Sequence, residues 1–199
     1  MVGQGNGRRK TGIGKEHLTT RSPETRTSLG WTALAILGMA LAGCDESTLT
    51  PSDTSGLFIN EFMAENDTTI QDPDGTGYPD WIEIYNADTR SVNLGGMYLT
   101  DDLANPTKWR IPDGVTIPAN GYLLFWADND EEQGEQHTNF KLKAAGEEIG
   151  LFDTAENGYA TIDTVTFGRQ TSDVSFGRQP DGADTWRTFS SPTPGQPNQ

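Results

Sequence analysis

The stretch Trp81-Ile82-Glu83-Ile84-Tyr85 decides the fold. Successive side chains of an extended strand point to opposite faces, so Ile82 and Ile84 share one face while Trp81, Glu83 and Tyr85 share the other. Working outward, apolar residues recur with a period near two at 57–63, 97–100, 109–111, 122–127, 148–152, 162–167 and 185–189, in runs bounded by Asn, Asp, Gly or Pro. Short strands at this spacing predict an all-β sandwich or barrel. Tyr122-Leu123-Leu124-Phe125-Trp126 is apolar throughout and predicts a central strand covered on both faces. No segment carries a convincing amphipathic helix, and 23 glycines and 11 prolines scattered between the runs supply turns instead.

With 199 residues the chain has room for one domain with a real core plus polar segments outside it, and not for two large domains. Its formal charge is -15. The first 43 residues hold six of the 14 Lys/Arg and two of the 29 Asp/Glu, so from residue 44 onward eight basic and 27 acidic side chains leave a net charge of -19. That field repels phosphate backbones, and the eight cations are dispersed without a basic patch, which disfavours nucleic acid as a partner. Divalent cations and cationic polymers suit it better. Cys44 is the only cysteine, so the fold has no intramolecular disulfide and rests on its hydrophobic core.

Residues 1–28 are polar and basic, and an apolar run then leads from Leu29 to Ala42 and stops at Gly43-Cys44. A positive flank followed by an apolar stretch too short for a comfortable bilayer span predicts a secretory signal over 1–43. Leu41-Ala42-Gly43-Cys44 resembles the bacterial lipobox, in which the thiol is lipidated and the preceding peptide bond is cut. Lipid chains contribute about 0.8 kcal/mol per buried CH₂, enough for several of them to hold a domain on a membrane durably. The expected localisation is the cell envelope, lipid-anchored to a bacterial membrane. The remaining boundaries predicted are a polar, flexible tether over 44–56, a domain over 57–189 and an extended tail over 190–199.

Asp72-Pro-Asp-Gly-Thr-Gly-Tyr-Pro-Asp-Trp-Ile-Glu83 is the richest acidic cluster. Read as a twelve-residue calcium loop, it puts oxygen ligands at Asp72, Asp74, Thr76, Asp80 and Glu83, with Gly77 at the sharp turn. Calcium is the candidate cofactor on this reading. The competing reading is a plain solvated turn, which Asp-Pro-Asp-Gly also encodes. His137 lacks the companions of the usual zinc sites or of a nucleophilic triad and reads as a structural histidine. The run from Asp128 to Glu132 reads as a solvated loop. Trp81 and Trp109 are candidates for an aromatic sugar-binding platform, with core packing as the alternative.

In order along the chain, Ile59-Asn-Glu-Phe-Met63, Asp80-Trp-Ile-Glu-Ile-Tyr-Asn86, Val92-Asn-Leu-Gly-Gly-Met-Tyr-Leu-Thr-Asp-Asp102, Lys108-Trp-Arg-Ile-Pro112 and Ile117-Pro-Ala-Asn-Gly-Tyr122 resemble the bacterial lamin-tail domains. Trp126-Ala-Asp128, His137-Thr-Asn-Phe-Lys-Leu142, Gly146-Glu147 and Phe176-Gly-Arg-Gln-Pro-Asp-Gly182 continue the likeness across roughly 57–198. The resemblance implies an immunoglobulin-like β-sandwich and an accessory or interaction role, with no reaction attached. Nuclear lamin tails bind DNA and chromatin proteins, which the acidity of this chain argues against.

The function expected is a non-enzymatic envelope lipoprotein presenting a binding module, calcium-stabilised, for a protein or polysaccharide partner. The alternatives are a metal-assisted hydrolase using the acidic loop at 72–83, or a structural spacer or assembly subunit.

Overall fold

A computed structural model describes residues 53–73 and 77–199. The predicted signal segment with Leu41, Ala42 and Gly43, Cys44 itself, most of the tether, and the loop residues Asp74 and Thr76 lie outside the described residues.

Among the described residues the chain forms strands β1 (Leu57–Met63), β2 (Asp80–Asn86), β3 (Val92–Asn93), β4 (Tyr98–Thr100), β5 (Trp109–Arg110), β6 (Thr116–Ile117), β7 (Tyr122–Ala127), β8 (Glu147–Phe152), β9 (Thr161–Phe167), β10 (Ser175–Arg178) and β11 (Trp186–Phe189). They pair antiparallel into a five-stranded sheet of order β11-β10-β1-β2-β7 and a four-stranded sheet of order β5-β4-β8-β9, with β3 and β6 as a short ribbon. One short 3₁₀ turn, Ala155–Asn157, accompanies them. The architecture is an immunoglobulin-like β-sandwich.

Alternation in β2 explains the layering. Ile82 and Ile84 enter a buried cluster with Ile59, Phe62 and Phe125 of the larger sheet and Leu99, Ile149 and Leu151 of the smaller one. Phe62 is wholly buried in it, its ring 4.5 Å from Phe167 and 5.9 Å from the edge-on Phe176. Such pairings add about 0.5–1.5 kcal/mol beyond area burial. Trp81 points the other way, into a second cluster with Met63 and Trp126 on the outer face of the larger sheet, against which Ile70 and Leu124 pack.

That second cluster corrects the expectation for 122–126. β7 is the edge strand of its sheet, not a central one. It is apolar on both faces because the outer face is roofed at this end as well as the inner one. At Trp126 its open edge is covered by residues 136–138, through Trp126 N to Gln136 O at 2.7 Å and Thr138 N to Trp126 O at 2.9 Å. Where it is covered, the edge does not template pairing with other chains.

β10 is a strand the periodicity missed, and two of its residues organise the domain. Gly177 faces Glu61 on β1. A Cβ there would stand 2.8 Å from Asn198 Nδ2 and 3.0 Å from Asn60 O, so the missing side chain leaves the slot in which residues 193–198 lie down on the sheet. Asn198 Nδ2 donates from this slot to Arg178 O at 2.7 Å and to Asn60 O at 3.3 Å.

Arg178, 5% exposed, joins the two sheets. Its Nη2 meets both oxygens of Asp163 on β9 at 3.0 and 2.9 Å, its Nε donates to Ile59 O on β1 at 2.9 Å, and its Nη1 donates to Ala183 O at 2.6 Å. The guanidinium also lies 4.7 Å from the Trp186 ring centre. Asp163 accepts in turn from Ile59 N at 2.8 Å. These two bonds occupy the backbone of β1 where its register slips between Ile59 and Glu61.

Candidate functional site

The structure divides the residues of the expected calcium loop among different surroundings. Glu83 is wholly buried on the outer face of β2, opposite Glu61 of β1. Its carboxylate accepts from Gly195 N at 2.5 Å and Asn60 Nδ2 at 3.2 Å. Glu61 accepts from Ser175 Oγ and, at 2.9 Å, from Thr193 Oγ1. Burial pushes the Glu83 carboxyl up to about 8, with the charges of Glu61 and Asp181 adding to the rise, and burial raises Glu61 too. Glu83 is therefore a fastening point for the tail and not a loop ligand. Strand alternation is the reason: Asp80 and Glu83 stand three positions apart, an odd offset, and point to opposite sides of β2.

Asp80 is half-buried and accepts from Asn66 N at 3.1 Å. Burial pushes it up to about 6, opposed by that hydrogen bond and the nearby Lys141 charge. Asn66 ties the start of the loop to its end, since its Nδ2 donates to Ile70 O and Pro79 O, both at 2.8 Å.

Asp72, the first expected ligand, has different companions. It turns under the loop 128–141 and faces His137, whose Nδ1 lies 2.7 Å from Asp128 Oδ2 and 3.9 Å from Asp72 Oδ2. The side chains of Asp72, Asp128 and His137 are 1%, 9% and 9% exposed. A donor atom from each falls within 4.8 Å of the others. Asp128 follows β7 directly, and its backbone bridge to Lys141 closes the loop that carries His137. Above this group opens a cleft of about 350 Å³ bordered by Tyr78, Asp128, Asp130, Gln133 and Lys141.

Reading 128–132 as solvated therefore holds for Asp130, Glu131 and Glu132 but not for the Asp128 side chain. The signal was present in the sequence: Asp128 and His137 each sit in a segment like the family pattern, and both would have to be brought against Asp72 by the loop closing on β7.

The aromatic platform is also corrected. Trp81 is 0% and Trp109 3% exposed, because each faces a buried cluster, so neither ring is open to a sugar. The large aromatic side chains left exposed among the described residues are Tyr78 at 43% and Tyr159 at 41%. Tyr78 was hidden from a pattern reading because it lies in a Gly-Tyr-Pro turn outside any strand.

A comparison with curated proteins finds no match. The family described as the Lamin Tail Domain matches residues 50–169, which takes in β1 to β9 and the cleft. With the sandwich, its order of motifs and this match in agreement, the chain belongs to the Lamin Tail Domain family.

Proposed function

We propose that this protein is a non-enzymatic cell-envelope lipoprotein, held to a bacterial membrane by lipid on Cys44, that offers its lamin-tail domain as a docking module for a protein or polysaccharide partner. The observation that carries the docking role is the cleft: an exposed Tyr78 ring standing beside Asp130, Gln133 and Lys141. An aromatic face with hydrogen-bonding groups of both kinds around it suits a hydroxyl-rich or peptide surface. Among the described residues His137 turns its Nδ1 to two carboxylates and not to a hydroxyl nucleophile, which favours binding over acyl-transfer chemistry.

Two measurements test this. Cys44→Ser is expected to move the protein from the membrane pellet of the producing bacterium to the soluble or unprocessed fraction, and retention of normal processing and pelleting would overturn the anchor. Tyr78→Ala is expected to weaken adsorption to isolated envelope material about 10-fold while leaving the melting temperature unchanged, since an exposed ring contributes to contact and little to folding. Equal adsorption of both forms would place the docking face elsewhere.

A further inference from the structure

We propose that Asp72, Asp128 and His137 form a binding site for one divalent transition-metal ion, of the class that accepts mixed imidazole and carboxylate ligands, represented by Zn²⁺ and Mn²⁺. The three donors come from separate segments, the loop after β1, the end of β7 and the loop 128–141. The fold brings them together beneath the cleft with their side chains at least nine-tenths buried.

The arrangement of the donors suits a cation. One imidazole nitrogen, Nδ1, faces both carboxylates, at 2.7 Å and 3.9 Å. A hydrogen on Nδ1 can point fully at only one of them. Two carboxylates therefore gather round a single imidazole nitrogen. A divalent ion in place of the Nδ1 hydrogen would meet the imidazole and both carboxylates together.

The spacing suits such an ion. Ligands bound about 2.0–2.2 Å from a metal stand about 3–4 Å from one another. Asp72 and His137 already satisfy that separation, Asp128 needs to withdraw from His137 by only a fraction of an ångström to a little over one, and the two carboxylates, within 4.8 Å of each other, close on the ion by at most about the same amount. The nitrogen donor sets the metal class. Calcium takes six to eight oxygens, whereas imidazole with carboxylates suits first-row ions such as zinc and manganese. Asp128 also borders the cleft, so the site adjoins it. The ion would tie the loop carrying Asp72 to the loop carrying His137, and this holds whatever partner the cleft receives.

The test uses the full-length protein, stripped of metal with a chelator and titrated calorimetrically with Zn²⁺, Mn²⁺ and Ca²⁺ in turn. The expected result is one Zn²⁺ per chain at micromolar or tighter Kd, not displaced by millimolar Ca²⁺, and weakened at least about 10-fold in both Asp72→Asn and His137→Gln. No saturable binding, preference for Ca²⁺, or undiminished binding in both variants overturns the site. Should either variant fail to fold, histidine labelled with ¹⁵N in the unaltered protein reports directly: Zn²⁺ must shift the Nδ1 resonance of His137, and an unmoved resonance overturns the proposal.

Discussion

Replacing Arg178 with Ala is expected to cost the domain about 3–5 kcal/mol, the range seen when one partner of a buried ion pair is removed. The loss exceeds that of an ordinary surface cation because the side chain does three things together. It neutralises Asp163, which is left with a carboxylate among buried groups when the guanidinium goes. It satisfies two carbonyls, Ile59 O and Ala183 O, which lie on different segments. It also fills the space against Trp186. Arg178→Lys keeps the charge but has no planar fork to meet Asp163 through two bonds while reaching the carbonyls, so it should recover less than half of the loss. Urea unfolding read at constant slope measures both changes. A loss under about 1 kcal/mol for Arg178→Ala would mean that the two sheets hold together without this link.

Stability should fall as pH rises from 5 to 9, against the usual acid sensitivity of acidic proteins. Glu83, raised to about 8 in the fold, keeps its proton where the unfolded chain, titrating near 4.5, has released it. Between those values the folded state holds more protons, so this stabilisation is complete below about 4.5 and is lost progressively as pH rises through about 8. At about 1.36 kcal/mol per unit, the difference across that window is of order 3–5 kcal/mol. Asp80, raised to about 6, acts with the same sign between 3.8 and 6. Asp53, Asp88 and Asp173 are held below the ordinary carboxylate value by hydrogen bonds and oppose the trend only in acid, outside this range. Glu83→Gln imitates the protonated carboxyl and should flatten the profile above pH 6. Denaturation midpoints at pH 5, 7 and 9 decide the matter; a midpoint that rises toward pH 9 would contradict burial of an uncharged Glu83.

Strand reading succeeded where burial is one-sided or fully two-sided, as at Trp81 to Tyr85, because the alternation there is the alternation of the packing itself. It did less well where a side chain answers to a segment far along the chain. Glu83 looked like the last oxygen of an ion loop, and nothing local marks that Gly195, 112 residues away, donates to it. β10 escaped notice because Ser175, Gly177 and Arg178 are buried for polar reasons, a tail slot and an ion pair, that apolar periodicity does not register. Tyr122 to Trp126 misled for a related reason: its apolar outer face serves a second small cluster, so hydrophobicity on both sides did not mean a central position. Of the candidate site, Asp72 alone was read from sequence. Asp128 and His137 needed the loop closure on β7 before their proximity could be known.

The slot left by Gly177 also has a temporal consequence. Segment 193–198 supplies donors to Glu61 and Glu83 across separations of 132 and 112 residues, and Asn198 reaches Asn60 across 138. Closing loops of that length precedes any gain from the bonds, so contacts of this kind form late and slow the search for the native state. Until they form, both carboxylates remain hydrated and charged, and the middle of the larger sheet stays open to water.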